Sequence, residues 1–201
     1  NINQAAFGDG ADDIWLLSNQ TLYRWDMAAQ NLNLIATGVK DFSIGDSQLA
    51  IMFASGLTLS TLNEPLPKIR PLENIDSLKL FRVSRDLVLL KHDDQYWIWR
   101  EGQIEQKINA STVDWKKNSL LFSNGYELTS YDLGTRNVNV VDRTSTLSAN
   151  VSWHPSTSYF ARVQNTTLDL VELDSRGDKR HVIPISTIGL TDSYVFDPKG
   201  E

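Results

Sequence analysis

The sequence predicts an all-β fold assembled from repeated four-stranded antiparallel sheets, and three observations predict it. The first is a recurring anchor residue: Phe7, Ile44, Val83, Trp115, Trp153 and Phe196 open similar stretches at spacings of 37, 39, 32, 38 and 43 residues. The second is local pattern. The apolar runs between anchors are short and rich in Leu, Val, Ile, Trp, Tyr and Thr, whereas helical repeats of comparable period need apolar residues at i, i+3, i+4 and i+7 over a dozen positions. The third is punctuation: Asn-Gly, Gly-Asp, Asp-Asp and proline-containing turns separate the runs, which is the grammar of strands and hairpins. A period averaging about 38 residues is close to the ~40–45 of a four-stranded propeller blade. The expected architecture is therefore a β-propeller of about five repeats plus the first strand of a sixth, with minimal helix.

Taken in order, the repeats cover approximately 1–38, 39–76, 77–110, 111–147 and 148–189, with the next beginning at 190–201, all within one propeller domain or propeller segment. The first three are spelled weakly: Phe7 leads into GDGADDIWLLSNQTLYRWDMAAQNLNLI, Ile44 into GDSQLAIMFASGLTLSTLNEPLPKI, and Val83 into SRDLVLLKHDDQYWIWREGQIEQKI. The fourth is the clearest. Residues 113–115 read as strand a, 120–122 as b, 127–131 as c and 137–141 as d. Ser123-Asn124-Gly125 is the expected b–c turn, since Asn and Gly both tolerate positive φ, and Leu133-Gly134-Thr135-Arg136 the c–d turn. The fifth repeats this order from Trp153, and Tyr194 to Glu201 restarts it. Strand a carries an apolar residue two positions before each anchor (Ala5, Phe42, Phe81, Val113, Val151, Tyr194), as expected of a strand whose two faces differ in surroundings.

The blades resemble the WD-like propellers of the TolB-type class. Phe196-Asp197-Pro198-Lys199-Gly200 matches their opening motif, in which proline presets φ and glycine supplies a positive φ for a tight a–b turn. Trp153-His154-Pro155-Ser156 keeps the proline without the glycine, and Trp115-Lys116-Lys117-Asn118 keeps the aromatic and the turn. Tyr131-Asp132-Leu133-Gly134-Thr135 and Trp25-Asp26-Met27 match the motif closing strand c. The resemblance implies a bacterial, extracytoplasmic scaffold of the kind found beside PEGA modules, or a gating domain of a larger hydrolase. The opening on Asn1 and the sixth opening strand are expected of a segment trimmed from a larger protein, with a six- to eight-bladed ring favoured over a closed five-bladed one. Composition gives no expectation for cell compartment or oligomeric state.

Composition narrows the function classes. A net charge of −6 with 22% charged residues opposes a general nucleic-acid binder, which needs a cationic surface to displace counterions. No apolar stretch approaches the ~20 residues of a membrane-spanning helix. With no cysteine there is no disulfide, thiol nucleophile or cysteine zinc site. Four Asn-x-Ser/Thr sequons, at Asn19, Asn109, Asn150 and Asn165, lean towards export.

No residue cluster spells an established chemistry, and no cofactor or metal is expected. Asp9, Asp12 and Asp13 lack the ligand spacing and closing Glu of a calcium loop and read as an a–b turn. His92-Asp93-Asp94 has the composition of a metal corner and equally that of a b–c turn. Arg176-Gly177-Asp178 reads as a c–d turn. A five-bladed glycosidase would need Asp41 and Asp114, with Asp192, to converge as paired carboxylates. Trp15, Trp25, Trp97 and Trp99 are expected in the packing between blades. The resulting expectation is a non-catalytic scaffold that binds a protein or peptide on the face carrying b–c and d–a loops, where His92, Asp93, Asp94, Asn124, Arg143 and Asn165 lie.

Overall fold

The computed structural model describes the chain apart from residues 1, 9–12, 63, 117, 157, 174–179, 190–193 and 195–201. Among the described residues it is almost entirely strand and turn, with one short 3-10 turn at Ile75–Ser77, and no helix is long and apolar enough to cross a membrane. The first sheet runs β1 (Gln4–Phe7), β2 (Asp13–Ser18), β3 (Thr21–Asp26) and β4 (Asn31–Thr37). The second holds β5 (Val39–Gly45), β6 (Gln48–Phe53) and β7 (Gly56–Thr61), and the third β8 (Lys79–Ser84), β9 (Leu87–His92), β10 (Gln95–Arg100) and β11 (Gln103–Asn109). The fourth comprises β12 (Thr112–Lys116), β13 (Ser119–Ser123), β14 (Glu127–Asp132) and β15 (Val138–Arg143). The fifth comprises β16 (Ser148–Trp153), β17 (Tyr159–Gln164), β18 (Thr167–Glu172) and β19 (Val182–Thr187). Every sheet is an antiparallel meander in chain order, one sheet to each repeat.

The second sheet departs from the expected four strands: among the described residues it has three. Where a fourth strand would pair with β7, the chain reads Glu64-Pro65-Leu66-Pro67, and prolines have no amide to give to a ladder. Side-chain hydroxyls tether this strap instead. Thr58 Oγ1 donates to the Pro67 carbonyl at 3.1 Å and Ser60 Oγ to that of Glu64 at 3.3 Å. A single bridge, Leu57 to Arg70, remains of the ladder.

Tight turns set the registers. Asn19-Gln20, Asp46-Ser47 and Asn165-Thr166 each connect strands with both turn residues at positive φ, the type I′ geometry whose twist matches that of the flanking strands. Thr166, β-branched and at φ 68°, is the most strained of these. Thr166→Gly is expected to raise the unfolding free energy by about 0.5–1 kcal/mol, because the left-handed penalty removed exceeds glycine's entropic cost. Urea unfolding at a fixed m-value is the measurement; an unchanged or lower midpoint would show that the turn is not strained. The Asn124-Gly125 turn differs from expectation. Gly125 takes φ +92°, but Asn124 works through its side chain, its Oδ1 accepting the amides of Tyr126 at 2.9 Å and Glu127 at 2.7 Å. Tyr126 thus belongs to a longer loop between β13 and β14.

The chain divides into two compact units, Asn1–Ile108 and Asn109–Glu201. In the first, one apolar layer joins Trp15, Leu17 and Leu22 of the first sheet to Phe42, Leu49 and Ile51 of the second. Another joins Ala50, Met52 and Leu57 of the second to Val83, Val88, Leu90, Trp97 and Trp99 of the third. In the second unit Leu121, Leu128 and Val141 meet Trp153, Phe160 and Val171. In the second sheet strand periodicity of two therefore serves two neighbours, one face meeting the first sheet and the other the third. Trp15, Trp97 and Trp99 are buried as expected, but Trp25 is 43% exposed.

Candidate functional site

The loop ends that carry the candidate residues are held by backbone hydrogen bonds between b–c turns and the connections leaving strand d. Val39 N–H donates to the Gln20 carbonyl at 2.9 Å, and Ile188 N–H donates to that of Thr166 at 2.8 Å. In the fourth sheet Thr144 N–H donates to the Tyr126 carbonyl at 2.9 Å and Ser148 N–H to that of Gly125 at 2.6 Å. These bonds put the b–c turn and the d–a connection at one end of the first, fourth and fifth sheets.

The second unit brings three candidates to one such end. Asn124 caps its own loop; Arg143, at the end of β15, pairs through Nε with Glu127 Oε2 at 2.7 Å while its side chain stays 72% exposed. Asn165 is exposed in the β17–β18 turn at φ 49°. Its neighbour Gln164 donates through Nε2 to Thr144 Oγ1 at 2.5 Å, which ties that turn to the connection after Arg143. Below the connection lies a small pocket lined in part by Gly125, Tyr126, Asp142, Thr144, Ser148 and Arg162. Arg162 Nη1 pairs with Asp142 Oδ2. Burial raises the Asp169 carboxyl above the ordinary value, with the Arg162 charge opposing. Tyr126, 54% exposed, and Leu147, 47% exposed, flank this loop system, and strand pattern alone does not distinguish them from core.

His92, Asp93 and Asp94 lie in the first unit at the β9–β10 turn. The His92 ring stacks on Trp97, with centroids 5.1 Å apart and planes 16° from parallel. Its Nδ1 is 3.7 Å from Asp93 Oδ2, and the two aspartates face solvent. Lys107 Nζ lies 3.9 Å from the centre of the same tryptophan ring. The arrangement is aromatic and cation–π packing closing a tight turn, with Asp93 at φ 48°. Among the described residues no three His, Cys, Asp or Glu side chains gather as a metal site. Asp9, Asp12, Arg176-Gly177-Asp178, Asp192 and the Phe196–Gly200 motif lie outside the described residues; Asp13 pairs with Arg24 at 2.5 Å.

Asp41 and Asp114 have a structural use that their sequence did not show. Asp41 accepts the Phe42 amide at 2.8 Å and, from the next sheet, the Leu80 amide at 2.9 Å. Asp114 accepts the amide of Trp153, also one repeat onward, at 2.7 Å. Each carboxylate thus clamps strand a of one sheet to strand a of the next. Burial raises the Asp41 carboxyl and the two amides pull it back.

Tyr194 closes the far side of the fifth sheet, packing with Ile188 against Ala161, Val163 and Leu168. Its hydroxyl donates to the Asn150 carbonyl and accepts from Ser152 Oγ at 3.1 Å. Burial pushes its pKa up to about 12, against about 10 in the unfolded chain. The native state therefore keeps a proton that the unfolded state loses. Stability is complete below pH 10 and falls by up to about 3 kcal/mol as pH rises from 10 to 12. Alkaline unfolding followed by circular dichroism should show this loss, and Tyr194→Phe should abolish it; an identical alkaline slope in the variant would contradict the assignment.

Comparison with family models finds no match, and none of the curated proteins is significantly similar. Solved structures do match. The mitotic checkpoint complex structure aligns at a TM-score of 0.58 and 15% identity over 99% of this chain and 69% of that one. The WD40 domain of Neurospora crassa Pan2 aligns at 0.57 and 14%, over 100% and 70%. This chain has the WD-like β-propeller fold. The C-terminal WD40 domain of Sif2, at 0.53 and 10% identity over 99% and 64%, has the same fold. The likeness is to WD40 propellers in general, and nothing in it singles out the TolB-type or PEGA-associated class.

Proposed function

We propose that this WD-like propeller is a non-catalytic scaffold that binds a protein or peptide on its b–c and d–a loops. The observation that carries the reading is the loop end of the second unit. Asn124, Arg143 and Asn165 present exposed polar groups from backbone that hydrogen bonds have already fixed, so that little ordering cost opposes binding. The acidic balance of −6 favours a protein over a nucleic acid as partner. The engagement of Asp41 and Asp114 by backbone amides supports a structural role for them over a hydrolytic one. One matching structure is itself of an assembly, the mitotic checkpoint complex.

The test is site-directed photocrosslinking in cells. A photoreactive residue at Asn165 or Asp94 should yield adducts with a common partner, and one at Ser47, in the a–b turn of the second sheet, should not. Adducts from Ser47 alone would sink the proposal. The finer reading, an exported bacterial protein, draws support from the TolB-type motifs Trp25-Asp26-Met27 and Tyr131-Asp132-Leu133-Gly134-Thr135. The second forms the turn it encodes: Asp132 Oδ1 accepts the amides of Gly134 at 3.0 Å and Thr135 at 2.7 Å. Fractionation of the source cells decides it, with recovery in the cytoplasmic fraction counting against export.

A further inference from the structure

The second sheet ends on β7, at the position where each of the other four sheets carries one more strand, β4, β11, β15 or β19. Leu57 spends both of its main-chain groups on Arg70. Its amide donates to the Arg70 carbonyl at 2.9 Å, and its carbonyl accepts the Arg70 amide at 2.8 Å. Main-chain groups along a strand alternate in direction, so Leu59, two residues on and opposite Ala50, also turns its amide and carbonyl away from β6. Neither group has a hydrogen-bond partner among the described residues. The strap alongside offers no amide at Pro65 or Pro67, and Ser60 Oγ holds the Pro65 carbonyl at 3.4 Å in place of a ladder bond.

A cleft of about 560 Å³ lies here, lined by β7 at Leu59 and Thr61, by the strap at Glu64 and Pro65, and by the turns at Asp46 and Asp86. Every lining residue belongs to the first unit. Strand geometry, with a rise of ~3.3 Å, a spacing of ~4.8 Å and a thickness of ~10 Å, assigns roughly 160 Å³ to each residue, so the cleft admits about three to four residues of extended chain. Its β7 wall is rigid, since Leu57, Thr58 and Ser60 are buried, and a ligand that pairs with it meets little ordering cost. Three exposed carboxylates, Asp46, Glu64 and Asp86, face one lining cation, Arg85. Asp86 is engaged by Arg100, and Asp46 accepts the Ser84 hydroxyl, which is neutral. No cation pairs with Asp46 or Glu64 among the described residues.

We infer that β7 accepts a short extended segment of another protein, which pairs with Leu59 and sets a Lys or Arg side chain against Asp46 and Glu64. Main-chain pairing provides the docking and the cationic side chain provides the choice, as in other additions of a strand to a sheet edge. A helix does not suit this cleft, because its amides are already bonded within it. The inference does not rest on the loop reading, since the cleft lies at a–b turns and not at b–c loops. A Ser47 adduct with a partner absent from the Asn165 and Asp94 adducts would report this cleft and leave the loop reading standing.

The probe is the acetylated, amidated pentapeptide Thr-Val-Lys-Val-Thr, titrated into the isotope-labelled intact protein and followed by NMR with amide hydrogen exchange. The Leu59 amide should exchange quickly in the free protein and at least ~10-fold more slowly once peptide saturates it. Replacing the peptide's Lys by Glu should weaken binding at least ~10-fold. Glu64→Gln, at an exposed side chain whose loss leaves the strap's carbonyl contacts in place, should weaken it about 3-fold. A Leu59 amide protected before any peptide is added would overturn the inference, because a segment of the protein itself would then fill the edge. Equal binding of the Lys and Glu peptides would overturn it too, as would exchange slowed at β4 and unchanged at Leu59.

Discussion

Gly45→Ala is expected to destabilise the first unit by about 3 kcal/mol, at the upper end of overpacking costs. A Cβ at this position would lie 2.3 Å from the Val83 carbonyl oxygen, a main-chain atom of β8 in the neighbouring sheet. No rotamer change relieves such a clash, because Val83 is held in the β8–β9 ladder opposite Val88. Relief requires that two sheets part and the layer joining Ala50, Met52 and Leu57 to Val83 and Trp99 open with them. Gly38→Ala is the control. Gly38 has φ +73° but nothing within 4 Å of a new Cβ, so backbone strain alone costs about 1 kcal/mol. Urea unfolding of both variants gives the comparison. A loss at Gly45 no larger than at Gly38 would show that the sheets are not packed this closely.

The second large effect is expected at Arg100. Its side chain is 5% exposed, with Nε 3.2 Å from Asp86 Oδ2 and Nη1 3.4 Å from Glu105 Oε2. Asp86 is 60% exposed and contributes a screened interaction, whereas Glu105 is 18% exposed and depends far more on its cation. Arg100→Met preserves much of the volume but removes the cation that faces the largely buried Glu105 carboxylate. Removing one member of such a pair costs about 3–5 kcal/mol, mostly through the charge left behind. Adding Glu105→Gln should therefore recover a substantial part of that loss, the signature of a double-mutant cycle between coupled neighbours. If the single and double variants unfold at the same urea concentration, the pair is not the source of the effect.

What the sequence made legible follows from where its information is local. The fourth sheet could be read almost strand by strand, because turn chemistry is explicit on both sides of strand c: Asn124-Gly125 before it, Asp132-Leu133-Gly134-Thr135 after it. The missing strand of the second sheet is also signalled, by Pro65 and Pro67 at the place where a four-stranded repeat would put strand d, and the repeat pattern masks the signal. Other features have no local signature. In strand d of the first and fourth sheets a register shift lets Ile35 and Val141 turn inward while Leu34 and Val140 stay exposed. The sequence shows only an apolar doublet, and a bulge becomes visible when the partner strand is known. Trp25 was placed correctly in strand c and on an apolar face, but periodicity gives a face without saying whether a neighbour covers it. Asp41 and Asp114 looked like candidate paired acids because their true partners are main-chain amides 39 residues away. The candidate loop residues could be named from turn composition, and the hydrogen bonds that join their loops could not.

The outer strands of the sheets also differ in how they behave when protein is concentrated or partly unfolded. β19 carries Pro184, which cannot donate to an incoming strand, and β15 ends in Asp142-Arg143. β4 has neither safeguard: Asn31-Leu32-Asn33-Leu34-Ile35-Ala36-Thr37 contains no charge and no proline, and its first four residues are exposed. Asn31 Nδ2 already donates to Asn33 Oδ1 at 3.1 Å, the amide pairing that stacks readily between identical chains. This strand is therefore the point from which intermolecular cross-β growth should start. Asn33→Lys, on the exposed edge, would supply the gatekeeper that β4 lacks and lengthen the lag before fibrils form.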